Sequence, residues 1–193
     1  MSDAPPPARL RVFVALAPPD PAKEELVRRL HTAYEAHPRL RWNRVEDWHL
    51  TLAFLGEVPA ELVPRLCAPL ARVAGVHRPP RLALRGSGTF DDRVLWSGVD
   101  GELDALHRLA GAVRSVVREC GVPGGDRVLR PHLTLARARR GDLSSVGAVA
   151  ADLAGFSGRA WDAGRLHLVG SNDPRGPGPV RYRDIVSWPL GSV

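Results

Sequence analysis

Apolar residues follow two periods along this chain, and the switches between them mark its elements. Residues 9–17 alternate and are apolar, which predicts a strand. Leu26, Leu30 and Ala33 then share one helical face up to about residue 36, with Asp20 placed to cap the helix and Pro21 suited to its first turn. Leu40 to Trp42 is a short strand candidate, and residues 48–55 form a longer strand. A second helix spans about 60–74, with Leu62, Leu66, Leu70 and Val73 aligned; Pro69 lacks an N–H and is expected to kink or split it. Leu82 to Leu84 and Val94 to Val99 predict strands around a Gly-rich bend. Residues 102–120 carry the clearest helical stripe, Leu103, Leu106, Ala110, Val113 and Val117, ended by Gly121. After a loop at 122–130 comes a strand over about 131–138. Asp142 can cap a helix carrying Leu143, Val146, Val149 and Leu153. Strands at about 164–169 and 180–188 finish the chain, joined by a Pro- and Gly-rich loop from Asn172 to Pro179 that is expected to be mobile.

This order is repeated. His49-Leu50-Thr51-Leu52 recurs as His132-Leu133-Thr134-Leu135, 83 residues later. Arg11 to Ala17 is matched by Arg93 to Val99 at an offset of 82, and Leu82 to Gly86 by Leu166 to Gly170 at 84. Three landmarks in one order at nearly constant offset indicate a duplicated unit, and two copies are too few for a solenoid. Each half runs strand, helix, motif strand, helix, strand. The expected fold is α+β and bilobal, with a pseudo-two-fold axis and two mostly antiparallel sheets. We expect a lead at residues 1–8 that is disordered, then a single domain at 9–193 with repeat halves at about 9–90 and 91–193.

Composition narrows the class. With 193 residues, 44% of them hydrophobic, the chain can build one proper core. No apolar run approaches a membrane span, and the Pro-rich start lacks the regions of a signal peptide. Cys67 and Cys120 fall among apolar residues of helices and are expected to be buried free thiols. A cytoplasmic monomer is the expectation. The net charge is +6, and only one of the 27 basic residues is Lys. Arg suits phosphate recognition, but high Ala, Gly, Pro and Arg also mark a GC-rich coding bias, so the charge permits a nucleic-acid substrate without establishing one.

Candidate chemistry sits in the repeated tetrapeptide. Alternate strand residues share a face, so His and Thr of each motif project together, about 7 Å apart along the strand, while the leucines enter the core. If the two strands face each other, two imidazoles and two hydroxyls converge. Cleaving a phosphodiester needs one group to take a proton from the attacking oxygen and another to give one to the leaving oxygen. Imidazole does either near neutral pH. Thr hydroxyls can donate to the non-bridging oxygens. A lone histidine would be read as an ordinary strand position; two, each two residues before a Thr at matching points of a repeat, are not. One metal ligand per motif, with no nearby Asp, Glu or Cys to complete a tetrahedral set, predicts no metal. His31 and His107 on helices, and His37 and His77 in loops, have bland readings. His167, on a strand, could be aimed anywhere.

Together, Arg11-Val-Phe-Val-Ala-Leu, Trp48-His-Leu-Thr-Leu-Ala-Phe-Leu-Gly-Glu57, Val94 to Val99, Arg130-Pro-His-Leu-Thr-Leu-Ala-Arg137 and Arg181 to Leu190 make nearly all of the chain after residue 8 resemble the two-histidine phosphoesterase superfamily. Within it, the likeness is to the RNA 2′,3′-cyclic phosphodiesterases, also described as 2′-5′ RNA ligases. The resemblance implies a central cleft and cofactor-free hydrolysis of a 2′,3′-cyclic phosphate, on RNA ends or cyclic nucleotides, to a 2′-phosphate. It makes His49 the proton donor to the leaving 3′ oxygen, His132 the base that activates water, and Thr51 and Thr134 the phosphate holders. The near-symmetric motifs do not themselves choose the acid. Arg137 would approach the phosphate, although strict alternation from His132 points it away unless a twist or bulge intervenes. Arg130 could add charge at the rim, with a solvated side chain as its plainer reading. Phe54 could stack a base or simply fill core.

The chain departs from its relatives at Leu168 to Asp173, where they often carry a more basic and aromatic turn, and in a short segment at 138–145. Two other functions remain open: a 2′-5′ ligase for tRNA halves, which is the reverse chemistry on the same residues, and a non-catalytic RNA-binding module.

Overall fold

The computed structural model of the protein describes residues 8–122, 129–139, 143–172 and 181–192. Strand β1 (Arg9–Leu16) leads into α1 (Asp20–Ala36), which buries Ala22, Leu26 and Leu30. Pro19, not Asp20, takes the N-cap position, with no side-chain cap. Asp20 instead lies in the first turn, where its charge meets the positive end of the helix dipole. Strand β2 (Arg41–Trp42) and a single 3₁₀ turn, Val45–Asp47, precede β3 (Leu50–Pro59). A second 3₁₀ turn, Ala60–Leu62, opens α2 (Val63–Val76). Then follow β4 (Arg81–Phe90), β5 (Val94–Gly101), α3 (Leu103–Glu119), β6 (His132–Arg137), α4 (Leu143–Leu153), β7 (Trp161–Asp162), β8 (Arg165–Ser171) and β9 (Tyr182–Pro189). Asp142 and the loop residues 173–180 lie outside the described residues.

Three local expectations change. Pro69 does not split α2, which runs unbroken through it. The carbonyl that loses its helical donor to the proline is that of Arg65, four residues back. Cys120, at the end of α3, points its Sγ at that carbonyl at 3.6 Å and supplies a weak donor. Cys120 and Cys67 are free, as expected, but half-buried rather than buried. The glycines at 86 and 88 do not form the bend between β4 and β5. They lie inside β4: Gly86, with φ +60°, sits where the pairing register slips, and Gly88 leaves room for the Trp96 ring, 2.3 Å from where a Cβ would stand. The turn itself is made by Asp91 and Asp92, both at positive φ.

The strands form two sheets, in the orders β3-β1-β8-β9 and β2-β6-β5-β4-β7, and every pairing within them is antiparallel. The α+β class and antiparallel character expected from sequence are therefore present. The order reveals an exchange. By the sequence offsets, β4 closes the first half and β8 the second. In space β4 pairs with β5, and β8 pairs with β1. With β2 beside β6 and β9 beside β8, each half thus lends two strands to the other's sheet. Helix α3 packs on β3 in the same crossed sense, and one apolar cluster runs from Val12 to Leu190.

The registers also refine the duplication. Ala15 pairs with Thr51 and Trp96 with Thr134, so these two strands superpose at an offset of 81 rather than 82.

Candidate active site

Leu50, Leu52, Leu133 and Leu135 are buried, and the motif threonines alternate with them, half-buried on the opposite face. His132 opens β6, and His49 stands one residue ahead of β3. Each ring is fixed the same way. His49 Nδ1 lies 2.6 Å from the carbonyl of Asp47, and His132 Nδ1 lies 2.6 Å from the carbonyl of Arg130. A carbonyl can only accept, so Nδ1 carries the hydrogen in both rings and Nε2 is left for chemistry.

Aromatic rings hold the two imidazoles. Phe13 stacks on His49 with centroids 4.5 Å apart, and Tyr182 meets it edge-on at 5.1 Å. Phe90 meets His132 edge-on at 4.9 Å and rests against Trp96. Burial pushes both histidines below the ordinary value of 6.5, because an imidazolium is poorly solvated there. The carbonyl bonds oppose this shift in each ring. The charge of His132 then lowers His49 further, and that of Arg137 lowers His132. Arg137 thus acts on His132 and His132 on His49, so the three groups share one cleft.

Arg137 reaches this cleft through a bulge. Thr134 pairs with Trp96 and Ala136 with Leu95, which leaves Leu135 as an extra residue. Leu135 and Ala136 are both buried, and Arg137 turns out onto the histidine face. Asn43, just after β2, pins the bulge: its N–H donates to the Leu135 carbonyl at 2.8 Å and its side-chain amide to the Thr134 carbonyl at 3.0 Å. The first motif has the same slip at Leu52, between the pairs Ala15–Thr51 and Val14–Ala53. It turns out Phe54, the repeat partner of Arg137. Phe54 is accordingly not core but 45% exposed, with the Arg11 guanidinium over its ring at 4.7 Å. The Arg130 side chain is exposed, and its contribution to the site is its backbone carbonyl.

Beside His49 the cleft opens into a cavity of about 460 Å³. Its floor includes Ala15 and Val169, which form a small apolar cluster with Phe13 under Tyr182. His167 and Asp184 line one wall, joined Nδ1 to Oδ2 at 2.8 Å; Asp47 lines another. Sequence reasoning did not single out Phe13, Tyr182, Phe90 or Asp184. One signal was available: β1 is apolar on both faces, so something besides the core had to cover its second face. His31 and His77 have local partners, Glu35 at 3.6 Å and the Val73 carbonyl at 2.7 Å. Among the described residues, no group of three or more His, Cys, Asp or Glu comes together as a metal-binding set, and no helix is long and apolar enough to cross a membrane.

The LigT-like phosphoesterase family model matches residues 16–96. The chain is 32% identical over 189 residues to the RNA 2′,3′-cyclic phosphodiesterase of Escherichia coli strain K12, covering 93% of this chain and 96% of that one. It is also 32% identical over 186 residues to the enzyme of the same name from Geobacillus stearothermophilus, covering 94% of this chain but spanning only 58% of that relative's length. The fold matches a crystal structure of E. coli LigT complexed with NADP+, with a TM-score of 0.75, 27% identity and 95% and 99% of the two chains covered. On the paired motifs, the matching fold and 32% identity over nearly the full length of the E. coli enzyme, this chain belongs to the LigT-like phosphoesterase family.

Proposed function

We propose that this protein is a metal-independent RNA 2′,3′-cyclic phosphodiesterase that opens the cyclic phosphate at an RNA end, or on a cyclic nucleotide, to a 2′-phosphate. The observation that carries this reading is the matched pair of rings, each held at Nδ1 by a carbonyl two residues back. That arrangement leaves two Nε2 atoms to serve one phosphate. The activity for which the relatives from Geobacillus stearothermophilus and E. coli are named supports it.

The reaction divides between the two rings. Nε2 of His132 accepts a proton from water as its oxygen attacks phosphorus opposite O3′. The P–O3′ bond breaks, and Nε2–H of His49 gives its proton to O3′. Thr51 and Thr134 hydroxyls and the Arg137 guanidinium hold the non-bridging oxygens, where charge builds in the transition state. The 2′-phosphate leaves, and the rings exchange protons with solvent. The cleft's asymmetry supports this division. The leaving oxygen carries a nucleoside, which needs room, and the 460 Å³ cavity lies on the His49 side.

The reverse reaction, with an RNA 5′-hydroxyl in place of water, would make a 2′-5′ bond with the same groups; joined product from tRNA halves tests it. The working form is read as a cytoplasmic monomer. The direct test incubates the protein with a 2′,3′-cyclic nucleotide in EDTA and locates the phosphate by ³¹P NMR. A 2′-phosphate is expected. No turnover by the native protein, or an unchanged rate in His49→Ala, would end the proposal. Activity that survives in neither protein while RNA still binds would point to a binding module.

The pH profile follows from burial. For kcat/KM the relevant values are those of the free protein. One ring must be neutral and the other protonated, so the profile is a bell, and both values lie below the ordinary 6.5. The centre should therefore fall on the acid side of 6.5, with activity lost as pH rises and the acid deprotonates, and lost again at low pH as the base gains a proton. A bell centred well above neutrality would contradict this.

A further inference from the structure

The cavity beside His49 has a wall that the phosphate chemistry does not use. Its volume, about 460 Å³, falls within the roughly 300–1,000 Å³ of small-molecule sites. The apolar floor of Ala15 and Val169 and the Tyr182 ring give a surface for a flat heterocycle. On the same sheet face, paired with Ala15 in the register, His167 is only 18% exposed at its side chain and is oriented by Asp184. Its Nδ1–H goes to Asp184 Oδ2, so in its neutral form Nε2 presents a lone pair. The second Asp184 oxygen and the Asp47 carboxylate add further acceptors on the His167 side, while Arg44, paired with Glu46 at 3.4 Å, and Arg183 line the rest of the same cavity.

We propose that this cavity is the subsite for the nucleoside attached to the cyclic phosphate, and that His167, held by Asp184, reads the exocyclic amino group of its base. This rests on the phosphodiesterase reading, which places the nucleoside on the side of His49. An acceptor wall matches the amino groups of cytosine, adenine and guanine. It repels the carbonyl that uracil presents in the corresponding place. Cytosine and uracil have nearly the same size and differ in that edge, so they isolate the effect from shape. Losing one matched hydrogen bond while setting acceptor against acceptor is worth roughly tenfold. His167 is thus a specificity determinant rather than a catalytic residue.

The test compares kcat/KM for cytidine and uridine 2′,3′-cyclic phosphates in the native protein, in His167→Ala and in Asp184→Ala. The native protein should favour cytidine roughly tenfold. Both variants should bring the ratio close to one, which a general loss of structure would not do, since it slows both substrates alike. Asp184 is 55% exposed at its side chain, so its variant keeps the test open if His167→Ala folds poorly. A native ratio near one, or a ratio that survives in both variants, overturns the proposal. If the native protein turns over neither substrate, the phosphodiesterase reading is what has failed. The subsite is then judged by binding: cytidine 2′-monophosphate should shift the His167 imidazole resonances at lower concentration than uridine 2′-monophosphate, and equal titrations overturn it.

Discussion

Alanine at His49 or at His132 should lower kcat/KM for a 2′,3′-cyclic phosphate by about a hundredfold to ten-thousandfold, the usual contribution of a positioned acid or base. Both losses should be of similar size, because each ring is fixed by the same bond at the same distance, 2.6 Å to a carbonyl. The two groups act within one proton-transfer cycle, so the double variant should be little worse than the poorer single one. Each single variant should also lose one side of the bell: the alkaline fall disappears with the acid, and the acid fall with the base. Steady-state rates across the pH range, with thermal melts as a folding control, check all of this. The control is needed because His49 packs on Phe13 and Tyr182, and its loss leaves a gap between them. Activity within threefold of native in either single variant would remove that ring from the reaction.

Gly101→Ala should cost about 3 kcal/mol of folding stability, from a strained backbone and a clash that cannot relax cheaply. Gly101 has φ +111°, and an added Cβ would stand 2.3 Å from the Arg81 carbonyl oxygen and 3.1 Å from Leu82 Cα. These are backbone atoms of the paired strand, not the tip of a flexible side chain. The same Arg81 carbonyl accepts the Glu102 N–H at the start of α3, so pushing it away loosens two elements. Gly111 is the contrast: it sits inside α3 with open space around its missing Cβ. Gly111→Ala should be stabilising by about 0.5–1 kcal/mol. Urea midpoints of the two variants should move in opposite directions. A Gly101→Ala midpoint equal to native would show that the β4–β5 junction yields more easily than its geometry implies.

Much of the site was legible because its signal is local. His-Leu-Thr-Leu carries its own alternation, and the burial of its leucines follows from it. The carbonyl that orients each ring lies only two residues upstream. Arg137 was half legible. The motif names it, but its direction depends on an extra residue in a ladder whose partner strand, β5, begins 38 residues before β6, and on Asn43, which lies 94 residues before it. No local rule contains those partners. The same holds for Pro69, where propensity predicts a break and a thiol from another helix repairs it. The His167–Asp184 pair joins two strands whose connecting loop says nothing of their register. The duplication itself was plain from the offsets. What they could not show is which sheet the third landmark of each half would enter, since pairing partners are chosen by the space left on a sheet edge and not by a strand's own pattern.

That choice of partners bears on how such a chain can arise and fold. A lone half, residues 9–90, would have β4 with no β5 to receive it, and β1 would keep an open edge where β8 now lies. Two copies of one half would satisfy each other by trading those strands, as a swapped dimer does. Joining the copies in one polypeptide turns that trade into an intramolecular event at high effective concentration. The linked chain then gains its last pairings only after both halves are made, so neither lobe should ripen early on the ribosome. Unfolding should proceed as a single cooperative event.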